Sequence, residues 1–576
     1  MIILGLSGAL GHDPSAALLV DGELVAAAEE ERFLRDKHAK NRMAVEAARY
    51  CLEAAGLGAG DVDAVAFPYA PISLASAARW RYAQRHWYAP DRALDALANG
   101  NRRFRRNRRR VMEAGQRLGI NWSKTEFVPV EHHLAHAASA YHCSGFTEKT
   151  AIMGVDGKGE YATTFFGYGE NGRIHGIRQF YDPDSLSGVY GAMTEYLGFE
   201  MLDGEYKVMG MAPYGDPGRF DFSRLIRPRG DGFQVNARYI NTVGLRRYKE
   251  NGVGYYFSPK LVEWLGPRRR DDAADEPYVH YAAAMQRLFE DWCLKLLETH
   301  LGGVLRETGK LAFAGGGALN VKLNQRIVAL DHVDELFVQP AAGDSGTSLG
   351  AAAYVAADRG ERLTRMTHVF LGPEYSNDDC RTALDASADS VEYRALNDVP
   401  KDAAALIAAG HPVAWFQGRM EFGPRALGAR SILGCPSVPG MADRINEQIK
   451  FRERWRPFCP SVLDRVAPEI IGSHHPAPFM TITFDVAQAW QARIPEVVHE
   501  DGTARVQIVE PGAHPRYYAL LEALEQLTGN AVVLNTSLNR RGEPMVCSPA
   551  DALDMFLGSG LQYLVMEDFL VTKRRG

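Results

Sequence analysis

The sequence predicts an α/β protein in which a duplicated N-terminal part is followed by a second, cationic α/β domain. Three observations support this fold class. A pattern of strands and glycine-rich turns occurs twice, two further glycine-rich loops each join a strand to a helix, and the composition changes near Lys401. At 576 residues the chain is long for one hydrophobic core, so two domains are expected.

The repeated pattern begins at Ile2 and again at Ala151. "IILGLSGALGHDPSAALLVDGELVAAAEEE" reads as a strand, a glycine-rich turn, a second strand, an Asp-Gly turn and a third strand. "AIMGVDGKGEYATTFFGYGENGRIHGIRQF" follows the same order, with Asn-Gly as its second turn. Backbone N–H groups at such strand ends can cradle phosphate oxygens, so two of these loops facing each other predict a nucleotide cleft.

Two more glycine-rich loops fit this prediction. "LAFAGGGALNVKLNQRI" is a buried strand, then Gly315, Gly316 and Gly317, then a helix with Asn320 near its start. "LFVQPAAGDSGTSLGAAAYVAA" repeats this order with its loop at 343–347. Glycine permits the close backbone approach that an adenosine or a phosphate requires. One such loop alone is more often a plain turn, but four in this order favour nucleotide binding.

The stretch "VEHHLAHAAS" predicts a helix that carries His132 and His136 on one face, with His133 pointing elsewhere. Two imidazoles on one face can share a metal ion. The alternative is that both histidines form hydrogen bonds within a packed helix, which is the commoner meaning of an isolated H-x-x-x-H. Carboxylates from elsewhere in the chain decide between the two interpretations.

Basic residues become dense beyond Lys401, in two motifs. They are Arg419, Arg425 and Arg430 in "GRMEFGPRALGARSIL", and Lys450, Arg452, Arg454 and Arg456 in "IKFRERWRPF". Tryptophan, proline and phenylalanine are interleaved with these charges, which favours a walled pocket for phosphate or carboxylate groups. The alternative is a solvated face on which Glu447 and Glu453 are the ionic partners.

The overall composition limits the function classes. A net charge of -6 and a pI near 6.3 argue against general binding to nucleic acid or anionic membrane. Seven scattered cysteines without a C-x-x-C pair fit a reducing compartment and do not fit a cysteine zinc site. We therefore expect a cytoplasmic protein without a membrane span. The arginine-rich stretch 102–110 could bind an anionic acceptor or nucleic acid, although a solvent-facing helix is commoner.

Eight motifs follow one another along nearly the whole chain: "GHDPSAALLVDGELVAAAEEERF", "EHHLAHAASAY", "EYKVMGMAPYG", "AGGGALN", "AGDSGTSLGAA", "GRMEFGPRALGARSIL", "IKFRERWRPFCPSVL" and "LNTSLNRRGEPMV". Together they resemble the NodU/CmcH family of O-carbamoyltransferases. The loop order also resembles the duplicated, ribonuclease H-like ATPase fold of actin, Hsp70 and sugar kinases. The resemblance implies an actin-like carbamoyl-transfer domain over 1–370, with an insertion at 68–125, and a YrdC-like carbamoyladenylate-forming domain over 385–576.

The resemblance implies a metal site in the first domain, held by His132, His136, Asp156 and Asp344. The donor types agree independently, because two imidazoles and carboxylates with open positions suit Fe(II) or a similar divalent ion. For an aspartate alone, a turn or cap residue is an equally good interpretation.

The resemblance also implies a site for carbamoyl phosphate and ATP, with Mg²⁺, in the second domain. Lys450 and Arg456 would hold carbamoyl phosphate, and Arg430, Arg505, Ser537 and Asn539 would complete the site, with Arg419 as a further ligand-binding candidate. Ser537 and Asn539 alternate along one segment, so both can point into one pocket.

The implied reaction is an ATP-dependent O-carbamoyl transfer through carbamoyladenylate. The Gly315–Gly317 loop and Asn320 would accommodate the adenosine. His12 is the candidate base because it lies in the first loop beside Asp13 and titrates near neutrality, the alternative being an exposed turn residue. Lys207 could reach a phosphate or be a surface lysine.

The acceptor is expected to be a small-molecule alcohol: an antibiotic sugar, a polyketide alcohol, a cephem or a lipo-oligosaccharide. A tRNA threonylcarbamoyladenosine-type enzyme shares both implied modules, but the acidity and the domain order argue against it. The hydrogenase-maturation carbamoyltransferase carries C-x-x-C pairs that this sequence lacks. A non-catalytic, nucleotide-gated binding protein is the alternative from a different class, and a homodimer stays open.

Overall fold

Two five-stranded sheets with the same strand order organise the N-terminal part of the computed structural model, which describes residues 1–241, 247–270, 274–450 and 455–574. The strands of this part are β1 (Ile2–Leu6), β2 (Ser15–Val20), β3 (Glu23–Glu29), β4 (Ala64–Phe67), β5 (Glu126–Pro129), β6 (Thr150–Val155), β7 (Ala162–Glu170), β8 (Arg173–Tyr181), β9 (Ile226–Arg229), β10 (Gly232–Val235), β11 (Lys249–Glu250), β12 (Val253–Gly254), β13 (Lys310–Ala314) and β14 (Glu335–Val338). The first sheet has the order β3-β2-β1-β4-β5, and the second has the order β8-β7-β6-β13-β14. The repeated sequence pattern therefore folds into two sheets of one design.

Parallel and antiparallel pairings are combined in the second sheet. β6, β7 and β8 form an antiparallel meander, whereas β13 pairs in parallel with both β6 and β14. The carboxyl ends of β6, β13 and β14 consequently meet at one edge of the sheet. Loops that follow these three strands are where an α/β sheet usually binds its ligands.

Twelve helices accompany these strands in the described part of the chain. They are α1 (Glu30–Leu34), α2 (Val45–Ala54), α3 (Ala77–Arg85), α4 (Pro90–Asn99), α5 (Arg102–Leu118), α6 (His132–Ser144), α7 (Leu186–Tyr196), α8 (Glu205–Met211), α9 (Pro259–Leu265), α10 (Tyr278–Thr308), α11 (Val321–Val328) and α12 (Gly346–Asp358). The predicted α/β class is confirmed.

Glycine allows α12 to lie directly against α6 and β1. A Cβ atom added to Gly350 would stand 1.8 Å from the carbonyl oxygen of Ala135 on α6. On the other side, a Cβ atom on Gly5 of β1 would stand 2.0 Å from the carbonyl oxygen of Ser348. Neither contact tolerates a side chain, so this packing fixes the position of α6, the helix that carries the histidines.

Three helices, α3, α4 and α5, make up most of the predicted insertion at 68–125. The inner side of α5 is buried through Asn107, Val111 and Ala114, and the Asn107 side chain donates to the carbonyl oxygen of Ala9 at 3.0 Å. The exposed residues of α5 include Arg102, Arg105, Arg106, Arg108 and Arg109. The arginine-rich stretch is therefore the outer side of an amphipathic helix.

An eight-stranded mixed sheet forms the centre of the C-terminal part. The strands of the whole C-terminal part are β15 (Val391–Ala395), β16 (Val413–Phe416), β17 (Arg430–Gly434), β18 (Cys459–Leu463), β19 (Thr483–Asp485), β20 (Thr503–Arg505), β21 (Gln507–Val509), β22 (Val532–Ser537), β23 (Tyr563–Met566) and β24 (Phe569–Lys573). Their order in the large sheet is β15-β24-β23-β16-β17-β22-β18-β21, and β19 pairs with β20.

The helices of this part are α13 (Asn377–Ala386), α14 (Val399–Ala408), α15 (Met441–Ile445), α16 (Ala467–Ile471), α17 (Gln488–Gln491), α18 (Pro515–Thr528) and α19 (Pro549–Leu557). Helices α14 and α18 cover one face of the sheet around Trp415 and Tyr517, which are fully buried. A single π-helical turn, Asn446–Lys450, continues α15.

The chain divides into two compact units. Unit one comprises Met1–Leu10, Asp21–Glu23 and Val62–Arg365, and unit two comprises Gly11–Val20, Leu24–Asp61 and Met366–Gly576. The domain boundaries inferred from the sequence, at 370 and 385, stay predictions. Among the described residues, no helix combines the length and the apolar character needed to cross a bilayer.

Two buried carboxylates hold the loop between β16 and β17 in unit two. Glu421 Oε1 accepts the N–H groups of Leu427 and Ala429, both at 2.8 Å. Gly423 donates its N–H to Glu29 Oε1 at 2.7 Å, and its carbonyl oxygen accepts from Arg32 Nη2 at 3.0 Å. Glu29 and Arg32 therefore bind the backbone N–H and the carbonyl oxygen of Gly423.

We expect Glu29→Gln to flatten the pH dependence of the free energy of unfolding. Burial raises the pKa of Glu29 to about 7, although Arg32 opposes the shift. Since the folded state then holds a proton that the unfolded state releases, stability is present below the ordinary glutamate pKa and is lost as pH rises through 7. The wild type should lose roughly 2 kcal/mol between pH 5 and pH 8 through this group.

Urea unfolding at several pH values measures this difference. Glu53→Gln, on the exposed side of α2, is the matched control and should keep the wild-type slope. Parallel pH profiles for wild type and Glu29→Gln would contradict the prediction.

Candidate functional site

The helix predicted from "VEHHLAHAAS" is α6. The side chain of Glu131 caps its N-terminus by accepting the N–H of Leu134 at 2.8 Å. His132 and His136 are buried, with their rings one turn apart and 4.8 Å between centroids. Burial and the charge of His132 lower the pKa of the neighbouring His133 to about 3, so His133 is a neutral core residue.

Two aspartates from unit one complete a four-residue cluster with these histidines. His132 Nε2 lies 3.6 Å from Asp156 Oδ2 and 3.5 Å from Asp344 Oδ1. His136 Nε2 lies 4.0 Å and 3.6 Å from the same two oxygens. The four predicted metal ligands are therefore brought together, with one donor atom from each within 4.8 Å of the others.

These distances suit a shared cation better than direct hydrogen bonds. They exceed hydrogen-bond lengths, whereas ligands bound at about 2.1 Å to one ion stand roughly 3–4 Å apart. Among the described residues, the Nε2 atoms of His132 and His136 have no hydrogen-bond partner although both are buried. Leaving such atoms unsatisfied is costly, so the residues fit a divalent metal ion.

The two carboxylates also affect the charge of His132 when no ion is bound. Burial opposes the charged form of His132, but Asp344 and Asp156 raise its pKa well above the ordinary value. Burial likewise opposes the charged form of Asp156, but its interactions with His132 and His136 lower its pKa. A bound cation can replace this proton as the partner of the carboxylates.

His132 is oriented by residues around the four-residue cluster, and the sequence analysis did not reveal these residues. The carbonyl oxygen of Pro68 lies 3.3 Å from His132 Nδ1, which leaves Nε2 available for a metal. Glu160 accepts the backbone N–H groups of His132 at 3.2 Å and Ala70 at 2.7 Å. Burial and the charge of Glu131 raise the pKa of Glu160 to about 8, so Glu160 holds a proton at neutral pH.

The triple-glycine loop touches the metal cluster through Asp156. Gly316 donates its N–H to Asp156 Oδ1 at 3.0 Å, leaving Oδ2 toward the histidines. A Cβ atom on Gly315, whose φ is +91°, would lie 2.4 Å from the carbonyl oxygen of Val155. A Cβ atom on Gly317 would lie 2.8 Å from the Val155 side chain. These glycines are therefore required by the close approach of the strands β6 and β13.

Two other candidates of unit one have structural contacts. The Asn320 side chain exchanges hydrogen bonds of 2.8 and 3.0 Å with Gln286 and caps α11 through the N–H of Leu323 at 3.0 Å. Lys207, on α8, holds its Nζ 5.4 Å from the centre of the Phe199 ring.

In unit two, the buried Lys450 and the half-buried Ser537 and Asn539 form one group of side chains. Lys450 Nζ donates to the carbonyl oxygen of Ser537, and it lies 2.8 Å from Asn539 Oδ1 and 3.0 Å from the Asn539 carbonyl oxygen. The Ser537 hydroxyl donates to Asn539 Oδ1 at 2.6 Å. These contacts place the ammonium group of Lys450 beside Ser537 and Asn539, two of the residues predicted to bind carbamoyl phosphate and ATP.

The predicted arginines have different surroundings. Arg505 Nε donates to Cys459 Sγ at 3.1 Å at the start of β18, and Arg456 lies in the loop before that strand. The backbone of Arg430 is adjacent to the lysine group, because its carbonyl oxygen accepts the N–H of Leu538 at 2.9 Å. The guanidinium of Arg430 is buried and donates to backbone carbonyls, including that of Gly418 at 3.0 Å.

Arg419 serves the fold of unit two. Its guanidinium donates to the carbonyl oxygens of Leu371 at 2.7 Å and Val25 at 3.1 Å. Arg452 and Arg454 lie outside the described residues.

The candidate base His12 is also in unit two. Its Nδ1 lies 2.9 Å from Asp13 Oδ2, so the ring has a defined partner. The His12 side chain is only 21% exposed, which differs from the exposed turn residue of the alternative interpretation.

Two family models cover most of the sequence. Residues 2–353 match the model described as "Carbamoyltransferase N-terminus", and residues 404–573 match "Carbamoyltransferase C-terminus". The chain belongs to the carbamoyltransferase family. The resemblance inferred from the motifs is confirmed, and this carbamoyltransferase is a transferase enzyme.

Curated relatives support the assignment over the full length. Nodulation protein NolNO of Sinorhizobium fredii is 35% identical over 600 residues, which cover 100% of this chain and 83% of the relative. Uncharacterized protein sll1178 of Synechocystis sp. is 36% identical over 99% of this chain and 96% of its own length. Full-length HypF, solved in the phosphate- and nucleotide-bound form, shares 13% identity over 63% of this chain and 56% of its own, with a TM-score of 0.30.

We expect His136→Ala to lose a bound divalent metal while the protein stays folded. The change removes one of four ligands and leaves two buried carboxylates without their cation. Inductively coupled plasma mass spectrometry of the purified protein measures the metal content. His142→Ala, in the last turn of the same helix, is the control and should retain the metal. Equal metal content in wild type and His136→Ala would contradict the site.

Proposed function

We propose that this carbamoyltransferase is an ATP-dependent O-carbamoyltransferase that forms carbamoyladenylate in unit two and transfers its carbamoyl group to a hydroxyl of a small-molecule natural product. The observation that carries the proposal is the presence of two chemically different groups of polar residues. One is the lysine group around Lys450, and the other is the metal cluster around His132 and Asp344.

The lysine group suits anions that must be brought together. Carbamoyl phosphate is hydrolysed to carbamate and phosphate, and a carbamate oxygen then attacks the α-phosphorus of ATP, releasing pyrophosphate. Lys450 would offset the repulsion between these anions, with Ser537 and Asn539 holding its ammonium group in place. Arg456 and Arg505 are the further proposed contacts to carbamoyl phosphate and ATP, which enters with Mg²⁺.

The metal cluster suits the phosphate of the adenylate. A divalent ion such as Fe(II), held by His132, His136, Asp156 and Asp344, supplies a Lewis acid for phosphate oxygens. The N–H of Gly316 keeps Asp156 directed into the cluster. The Gly315–Gly317 loop beside it is the proposed contact to the adenosine. A closed structural site would need no such glycine loop beside it.

His12 is proposed as the base for the acceptor hydroxyl. Asp13 Oδ2 accepts the Nδ1 proton of His12, which leaves the lone pair of neutral His12 on Nε2. The hydroxyl proton moves to Nε2 while the oxygen attacks the carbamoyl carbon, and AMP leaves with the bonding electrons. Asp13 then stabilises the imidazolium that forms.

We expect Lys450→Ala to abolish pyrophosphate release that depends on carbamoyl phosphate, while His132→Ala retains it. Loss of one charged contact to a transferring phosphate typically costs about 10²- to 10³-fold in rate. Purified protein with ATP, Mg²⁺ and no acceptor is assayed for pyrophosphate with and without carbamoyl phosphate. Lys401→Ala, exposed on α14, is the control. If wild type releases no pyrophosphate, a nucleotide-gated binding protein becomes the better interpretation.

We expect His12→Ala to retain pyrophosphate release and to lose carbamoyl transfer. General base catalysis typically contributes about 10²- to 10⁴-fold. The assay supplies radiolabelled carbamoyl phosphate and a panel of hydroxylated antibiotics and oligosaccharides, and it separates carbamate esters by chromatography. Transfer by His12→Ala at the wild-type rate would contradict the role of His12.

A further inference from the structure

Two histidines of unit two share one carboxylate. His12 Nδ1 lies 2.9 Å from Asp13 Oδ2, and His38 Nδ1 lies 2.7 Å from Asp13 Oδ1. Burial opposes ionisation of Asp13, but its hydrogen bonds with His12 and His38 lower its pKa. An ionised carboxylate only accepts, so each Nδ1 must carry a proton and donate it. Both rings therefore turn Nε2 away from Asp13.

The backbone joins the segments of these histidines independently of the side chains. The N–H of Asp13 donates to the carbonyl oxygen of His38 at 2.9 Å, and the N–H of Asn41 donates to that of Gly11 at 2.8 Å. The N–H of His38 donates to Glu31 Oε2 at 2.7 Å. Removing the His38 imidazole should therefore leave the two segments together.

We propose that His38 is a positioning residue that fixes Asp13, so that Asp13 holds His12 in the tautomer whose Nε2 carries no proton. A carboxylate held through one oxygen can rotate about its Cβ–Cγ bond, whereas bonds to both oxygens prevent rotation. The relay His38–Asp13–His12 thereby keeps the basic atom in one direction. This inference rests on the proposed role of His12 as the base.

Hydrogen bonds explain the cluster better than a second metal ion. Donor atoms of Asp13, Glu31 and His38 lie within 4.8 Å of one another, a grouping that could suit a cation. However, the 2.7 Å contact between Asp13 and His38 is a charge-assisted hydrogen bond, and ligands sharing one ion stand further apart. Glu31 is already engaged by the N–H of His38 and, at 3.0 Å, by the guanidinium of Arg32.

The charges around His38 support a donor role over a wide pH range. Burial disfavours its charged form, but Asp13 and Glu31 raise the pKa of His38, with Lys37 as the opposing positive charge. A protonated His38 still donates from Nδ1, so the contact with Asp13 survives its titration. The φ of His38, 63°, lies in the left-handed region, which asparagine also adopts readily.

Two substitutions separate positioning from simple packing. His38→Ala removes the donor, whereas His38→Asn keeps an N–H donor near the position of Nδ1 and suits the backbone. The probe is diethyl pyrocarbonate, which acylates the unprotonated nitrogen of histidine. Mass spectrometry of the His12 peptide gives the rate at several pH values. His175→Ala, exposed on β8, is the control, and thermal melting checks the fold of each variant.

We expect the His12 acylation rate to fall several-fold in His38→Ala and to recover in His38→Asn. The reason is that, without the His38 donor, Asp13 no longer holds His12 in the tautomer with an unprotonated Nε2. With an acceptor found by the panel assay, kcat should fall roughly 10- to 100-fold in His38→Ala at unchanged KM, with recovery in His38→Asn. Equal acylation rates in wild type and His38→Ala would overturn the inference.

Two further outcomes would also overturn it. Slow acylation in both His38 variants would show that the ring itself, rather than its donor, matters. A change in the wild-type rate after treatment with EDTA, together with loss of metal in His38→Ala, would show a cation in the cluster. The acylation probe requires neither acceptor nor turnover, so its result is independent of whether pyrophosphate release supports the proposed function.

Discussion

The confinement of two imidazoles and two carboxylates in one buried cluster is the constraint on which unit one depends. His132 and His136 come from a helix, and Asp156 and Asp344 come from loops that follow two strands of the second sheet. Their charges balance only when a cation or a proton lies among them. The parallel pairing of β6, β13 and β14 and the glycine contacts of α12 bring these separate segments to one place.

Unit two holds its basic side chains through two kinds of contact. The ammonium group of Lys450 contacts oxygens of Ser537 and Asn539, whereas the guanidinium groups of Arg419 and Arg430 donate to backbone carbonyls. Carbonyl oxygens satisfy the N–H donors of an arginine without cancelling its charge. A basic sequence motif can therefore supply scaffold contacts as well as candidates for ligand binding, and only the contacts in the folded protein distinguish the two.

Much of the framework could be predicted from the sequence, because its signals are local. The four-residue spacing of the histidines fixes one face of α6, and the repeated strand and turn pattern gives two sheets of one order. The outer contacts of the site could not be predicted. Pro68 and Glu160 reach His132 from 64 and 28 residues away, and Asn320 is paired with Gln286 on another helix. Such partners depend on tertiary packing, which leaves no periodic trace in one sequence.

The direction of the Lys450 side chain depends on the number of residues in the π-helical turn at Asn446–Lys450. Each residue of an α-helix advances the chain by about 100°, and a π turn accommodates one residue more than an α turn. Deleting one residue from this turn would leave the charge and the hydrophobicity of the segment almost unchanged, yet it would direct the ammonium group away from Ser537. A relative with a gap at this point can therefore match the whole family pattern and still lack the contacts of this lysine with Ser537 and Asn539.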